Sequence, residues 1–217
     1  STSGDGYMIS NEIANIQHMP FDGTSDFMYT DPVANQYDER NMPTDMKLAF
    51  AHHLFGIVEV NVNSTDDKLK GEKILSVTLS SESTVLSGAY TFDLAKTGVA
   101  PKFDANRSYN NVTVEYRYPK ELVGGNHVFQ FIANSFTVSD LTLTVKTTHY
   151  TFTKKAGAAV SLKAGEVTVL PTVTISGTGV KRKKVLSYFG DSIACKALQD
   201  YLQGLLGEDW DVYMNGI

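Results

Sequence analysis

The chain has 217 residues, of which 42% are hydrophobic and 11% aromatic, enough to bury a sizeable core and to exclude general disorder. A net charge of −5 leaves no basic surplus to neutralise phosphates, so nucleic acid is not an expected partner. No apolar run reaches the roughly 18 residues that a membrane-crossing helix needs, and the single cysteine, Cys195, excludes an intrachain disulfide and a cysteine-built zinc site. One cysteine suits a cytosolic protein, and equally a secreted β protein whose core is large enough to need no staples.

The chain opens on Ser1-Thr-Ser-Gly-Asp-Gly6, which reads either as a trimmed end or as a mature end left after a signal is removed. Residues 7–45 hold Pro20, Pro32 and Pro43 without a steady period and read as a strand or two followed by a long irregular connection. From 46 to 176 the period is two, that of strands with one buried face. Val58-Glu-Val60-Asn-Val62, Leu75-Ser-Val77-Thr-Leu79, Tyr90-Thr-Phe92-Asp-Leu94 and Val112-Thr-Val114-Glu-Tyr116-Arg-Tyr118 all alternate. So do Leu141-Thr-Leu143-Thr-Val145, Tyr150-Thr-Phe152 and Val167-Thr-Val169, which continues past Pro171 to Val173-Thr-Ile175. Val, Thr, Tyr and Phe suit a pleated, half-buried surface. Turn-forming clusters separate the runs at Asn63–Asp67, Asp104–Asn106 and Gly124–Asn126. Short strands parted by turns, with no helical pattern between them, predict a mainly β, antiparallel sandwich. Pro171 lacks an N–H, so its strand must be an edge or be broken there.

Gly177-Thr-Gly-Val180 and the basic run Lys181-Arg-Lys-Lys184 read as a solvated linker over 179–184. Beyond it the pattern changes class. Val185-Leu-Ser-Tyr-Phe189 is a strand apolar enough to be covered on both faces. Gly190-Asp-Ser192 is a turn, and Ala194, Leu198, Tyr201, Leu202 and Leu205 recur at helical spacing. Gly207 closes that helix, and Trp210–Met214 starts another strand. Strand–helix–strand is the opening unit of a parallel α/β domain, and one such unit cannot bury both faces of its own sheet.

Ser192 is the residue with the clearest chemical placement. A serine between a buried strand and a helix N-terminus stands where open α/β folds bind ligands, beside free N–H groups able to hold an oxyanion. Asp191 and Ser192 equally suit a helix cap. The histidines suggest no metal site: His52 and His53 face opposite sides of a strand, while His18, His127 and His149 stand in separate segments. No cofactor is expected. Gly124-Gly125 precedes a strand and reads as a turn, not a phosphate cradle. Asn63-Ser-Thr65, Asn106-Arg-Ser108 and Asn111-Val-Thr113 match the glycosylation triplet, a pattern frequent by chance in polar loops.

Two resemblances refine this. Lys184-Val-Leu-Ser-Tyr-Phe-Gly-Asp-Ser-Ile193 followed by a helix and Trp210-Asp-Val-Tyr-Met-Asn-Gly-Ile217 resembles the start of an SGNH (GDSL-type) hydrolase domain. The resemblance implies Ser192 as the nucleophile of an esterase. The family's later asparagine block and Asp-x-x-His have no counterpart in these 217 residues, so catalysis by this chain alone is not expected. Over most of residues 7–178, Asp26-Phe-Met-Tyr29, the run Met46–Val60 with its Phe50-Ala-His52 signature, Ile74–Leu79, Gly88–Asp93 and Leu162-Lys-Ala-Gly-Glu166 resemble the fimbrillin family of fimbria subunits and adhesin-like surface lipoproteins.

That resemblance implies a transthyretin-like, Greek-key sandwich over 1–178, exported to a bacterial surface or outer membrane and touching membrane only through an N-terminal lipid anchor. It also implies a surface protein or glycan as partner. Stalk subunits of the family are cut at an arginine, and the surroundings of Arg40 do not match such a site, so a non-polymerising module is expected. The expected organisation is thus a sandwich over 1–178, a linker over 179–184 and the start of a hydrolase domain over 185–217. The leading functional expectation is a non-catalytic binding or structural module. The alternative is an accessory domain of a surface esterase.

Overall fold

The computed structural model describes residues 8–21, 23, 25–30, 40, 50, 52–94, 98–177, 179–190 and 196–216, with the backbone alone for 188–190 and 214–216. Along the chain run strands β1 (Met8–Ile13), β2 (Ile16–Met19), β3 (Met28–Tyr29), β4 (His52–His53), β5 (Gly56–Asn63), β6 (Lys73–Ser80), β7 (Ser87–Asp93), β8 (Lys102–Tyr109) and β9 (Asn111–Glu121). They continue as β10 (His127–Ala133), β11 (Phe136–Val138), β12 (Thr142–Thr147), β13 (Tyr150–Lys155), β14 (Val160–Leu162), β15 (Val167–Val169), β16 (Val173–Thr174) and β17 (Val180–Lys181). The C-terminal unit is β18 (Lys184–Gly190), helix α1 (Lys196–Leu206) and β19 (Trp210–Gly216). The protein is therefore mainly β, with antiparallel pairing dominant and one short helix near the C-terminus, as the period-two patterning predicts.

Two sheets face each other across the main core. One runs in the order β17-β13-β12-β6-β9-β2; the other is β10-β5-β15, with β16 also on β5. Val58, Val60 and Val62 of β5 and Phe129 and Phe131 of β10 meet Val77, Leu79, Val112, Val114, Leu143 and Val145 from the six-stranded sheet, all buried. A second, smaller core sits beside it. There Tyr90 and Phe92 of β7, the central strand of the sheet β1-β7-β8, pack with Ile13, Leu54, Phe55 and Ile132. Of the run from Met46 to Val60, residues 46–49 and 51 lie outside the described residues, and 52–60 is not one strand: Leu54 and Phe55 break it and drop into this second core, and the chain restarts at Gly56. A β-carbon at Gly56 would lie 2.4 Å from the Lys163 carbonyl oxygen, so only glycine lets the two backbones meet there.

The strand pattern departs from simple alternation where bulges shift its phase. Between Ile74 and Ser76 the β6–β9 register jumps, and Ile74 is buried where Leu75 was the expected core residue. Asp104–Asn106, expected as a turn, belongs to β8 and bulges out opposite Ala89; Asp104 Oδ1 accepts the Asn106 N–H at 2.8 Å. At Pro171 the last sandwich strand breaks into β15 and β16. The break reverses its faces: Val167 and Val169 are exposed, while Val173 packs on the main core and Ile175 is buried within it. Both pieces lie parallel to β5, as does β2 to β9, so the sheets are mixed, not purely antiparallel. Parallel pairing leaves no mark on a period of two.

Within 179–184, Val180 and Lys181 pair with Thr151 and Tyr150 of β13. A β-carbon on Gly179 would come within 2.4 Å of the Phe152 ring. Arg182 donates to the Thr147 carbonyl at 2.7 Å, and Lys181 and Lys183 reach Asp209 and Asp211 at 2.9 and 3.1 Å. Those two surface pairs add little stability individually.

Candidate functional site

Four residues of β9, Tyr116 to Pro119, stand opposite the single residue Leu75 of β6: Ser76 pairs with Glu115, and the next pair is Ile74 with Lys120. The surplus length leaves the plane of the sheet as a protrusion. Its root is fixed. Tyr116 is only partly exposed and stacks edge-on against the buried Phe129 with ring centres 5.1 Å apart. Its hydroxyl lies 3.2 Å from His127 Nδ1, and the Lys120 ammonium sits 5.4 Å above its ring. Burial pushes the His127 imidazole below its ordinary value and the Tyr116 phenol above its own. Both groups are accordingly neutral near pH 7. A β-carbon on Gly125 would stand 2.6 Å from His127 Nε2, so the turn at Gly124-Gly125 serves the packing of this root. Parallel pairing of β2 from Ile16 to Met19 along Thr113–Tyr116 braces the other side.

The tip is open. Tyr118 is 79% exposed, the largest exposure among the large hydrophobic side chains of the described residues, and its neighbours Arg117, Pro119 and Lys120 are exposed too. An aromatic ring and an arginine on a fixed support are the side chains most enriched at the anchors of protein interfaces. The alternation Val112-Val114-Tyr116-Tyr118 placed Tyr118 on the core face; the bulge turns it outward. Pro119 inside a strand pattern was the available signal, because proline belongs at edges and bulges.

The expected nucleophile, Ser192, lies outside the described residues, as does Cys195. The elements flanking it do form. Strands β18 and β19 pair in parallel from Lys184 with Trp210 to Gly190 with Gly216. Helix α1 is tied to β19 through Gln199, whose amide donates to the Val212 carbonyl at 2.8 Å, and through Gln203, which donates to the Trp210 carbonyl and accepts the Val212 N–H. The unit is not covered on both faces: Val185, Tyr201, Leu205 and Tyr213 are all more than half exposed.

All five histidines belong to the sandwich and its flanking strands. His53 Nδ1 is 3.0 Å from Asp26 Oδ1, and His52 stacks on Tyr29 with ring centres 5.0 Å apart, so the adjacent pair diverges as expected. His149 Nδ1 lies 2.6 Å from Glu72 Oε1. Among the described residues no three His, Cys, Asp or Glu side chains gather as metal ligands.

No protein-family model matches the chain, and no curated protein matches it. Among solved structures it is similar to a candidate cell adhesion protein of Bacteroides ovatus, with a TM-score of 0.40 and 15% identity over 59% of this chain and 44% of that one. The hydrolase resemblance of 184–217 finds no support in these comparisons.

Proposed function

We propose that the chain is a cell-surface, adhesin-like binding module of the fimbrillin kind, displayed on a bacterium through a lipid anchor upstream of the sandwich. Its contact surface is the β9 protrusion, and its partner is a surface protein or glycan. The observation that carries this reading is Tyr118, held 79% exposed beside Arg117 on a root that is packed into the main core. Such a placement costs hydration of an aromatic ring and returns nothing to the fold, whereas it pre-organises an anchor for a partner. Among the described residues no helix is long and apolar enough to cross a membrane.

The test is binding of the purified chain to immobilised mucin and to a printed glycan array, wild type against Tyr118→Ala. Loss of a central anchor typically costs about 2 kcal/mol or more, so affinity should fall at least tenfold. The melting temperature should stay unchanged, because the ring is exposed. Equal binding by both proteins, or none by a folded wild type, would contradict the proposal.

A second reading rests on the parallel β18–α1–β19 unit and its open apolar surface. In it the sandwich is the accessory domain of a surface ester hydrolase with Ser192 as nucleophile.

A further inference from the structure

The two sheets of the main sandwich do not close along one side. There the outer edge of β13 pairs with β17 only at Tyr150 and Thr151, and β15 and β16 pair with β5 alone. Between these edges lies a cavity of about 650 Å³, its accessible apolar wall formed by the partly buried Val160, Leu170 and Val173, which cover the buried Leu79, Leu141 and Leu143. A smaller cavity of about 190 Å³ continues it past Phe152 and Ile175, with Lys154 bordering both.

Lys154 is placed unusually. It pairs across the ladder with Leu143, and the next inward residue of its strand, Phe152, pairs with Val145. Cross-strand partners share a face, and Leu143 and Val145 are buried in the core, so Lys154 leaves the sheet on the core side. It has no ion-pair or hydrogen-bond partner among the described residues. No aspartate or glutamate lines either cavity, although the chain as a whole carries a net charge of −5. The remaining polar groups of the larger cavity are Lys155 and the hydroxyls of Ser161, Thr168, Thr172 and Thr174. An apolar trough of this size with a core-side lysine, Lys154, and a second, Lys155, at its border matches the usual build of a small-molecule site. It is ill-suited to an added strand: an inward lysine guards one edge, and Pro171 removes a donor from the other.

We propose that this seam binds a free aliphatic monocarboxylate, its alkyl tail against Val160, Leu170 and Val173 and its carboxylate on the Lys154 ammonium. The site is separate from the β9 protrusion and does not depend on the adhesin reading.

The test is calorimetric titration of the full chain with decanoate, dodecanoate and dodecanol below their aggregation concentrations. Wild type should bind dodecanoate saturably, and about sixteenfold more tightly than decanoate, since each buried methylene is worth ~0.8 kcal/mol, about fourfold. Lys154→Met, a change at an exposed position that leaves the fold intact, should weaken dodecanoate at least tenfold and dodecanol little. Leu170→Trp, which fills the trough, should weaken both ligands. No saturable binding of dodecanoate by the folded wild type would overturn the assignment. So would an affinity independent of chain length or of Lys154, or binding of an extended peptide in the seam where dodecanoate does not bind.

Discussion

Replacing Phe131 by alanine is expected to destabilise the protein by about 3–5 kcal/mol, the range for deleting a buried phenylalanine. The ring is fully buried, on the strand that pairs Phe131 with Val58 at the middle of the β10–β5 ladder. Both neighbouring inward residues, Phe129 and Ala133, are also fully buried, so the surroundings cannot collapse cheaply into the space. At roughly 2–4 °C per kcal/mol for a chain of this size, the melting temperature should fall by about 6–20 °C. Thermal and urea unfolding followed by circular dichroism measure it directly. A loss below about 1 kcal/mol, the scale of a surface substitution, would mean that β10 does not cross the core.

The second large effect is expected at Glu72. Its carboxylate is buried at the foot of β6 and accepts hydrogen bonds from the Thr147 hydroxyl at 2.6 Å, the His149 backbone N–H at 2.9 Å and His149 Nδ1 at 2.6 Å. It thereby clamps the β12–β13 turn to the start of β6. Burial alone would raise its pKa; the bonds from Thr147 and His149 outweigh burial and hold it below the ordinary 4.5. Glu72→Ala should cost about 2–4 kcal/mol, because the donors of Thr147 and His149 lose their acceptor.

The pH dependence has a fixed sign. A carboxyl whose pKa is lower folded than unfolded contributes stability that is complete above the unfolded value and is lost as pH falls through the folded one. Unfolding free energies measured by urea at pH 7 and at pH 3 should therefore differ more for wild type than for Glu72→Gln. Identical differences would remove Glu72 from the acid response.

The core faces of β5, β9 and β12 were legible because Val58, Val60 and Val62, Val112 and Val114, and Leu141, Leu143 and Val145 keep a strict period of two, which fixes the buried face. The pattern misleads wherever a bulge or a proline changes phase. Leu75, Tyr118 and Val167 all sit at positions that alternation assigns inward, and the local backbone turns each away from full burial. Those shifts depend on how many residues the partner strand supplies, a quantity carried by register and not by either strand's own residues. For the same reason the candidate contact surface was not visible in the sequence, although the alternation Val112-Val114-Tyr116 that leads into it follows the buried face. The residues around Lys154 do not distinguish a core-side lysine from a solvated one; its pairing with Leu143 shows that it borders an apolar trough. The helix Lys196–Leu206 and its flanking strands were readable because apolar spacing, Gly207 and Trp210–Met214 mark them locally, whereas the expected cover on both faces of Val185–Phe189 was not met, Val185 being exposed.

The function proposed for this chain is non-catalytic binding. It is tested most directly by comparing wild type with Ser192→Ala on a chromogenic acetate ester, with a fluorophosphonate label run in parallel. A serine nucleophile needs a base within hydrogen-bond reach, and His53, His127 and His149 are already engaged by Asp26, Tyr116 and Glu72. General-base assistance is worth about 10²–10⁴ in rate, so both proteins should show the same background turnover and neither should label. Turnover or labelling by wild type that Ser192→Ala abolishes would contradict the claim and make the chain an ester hydrolase.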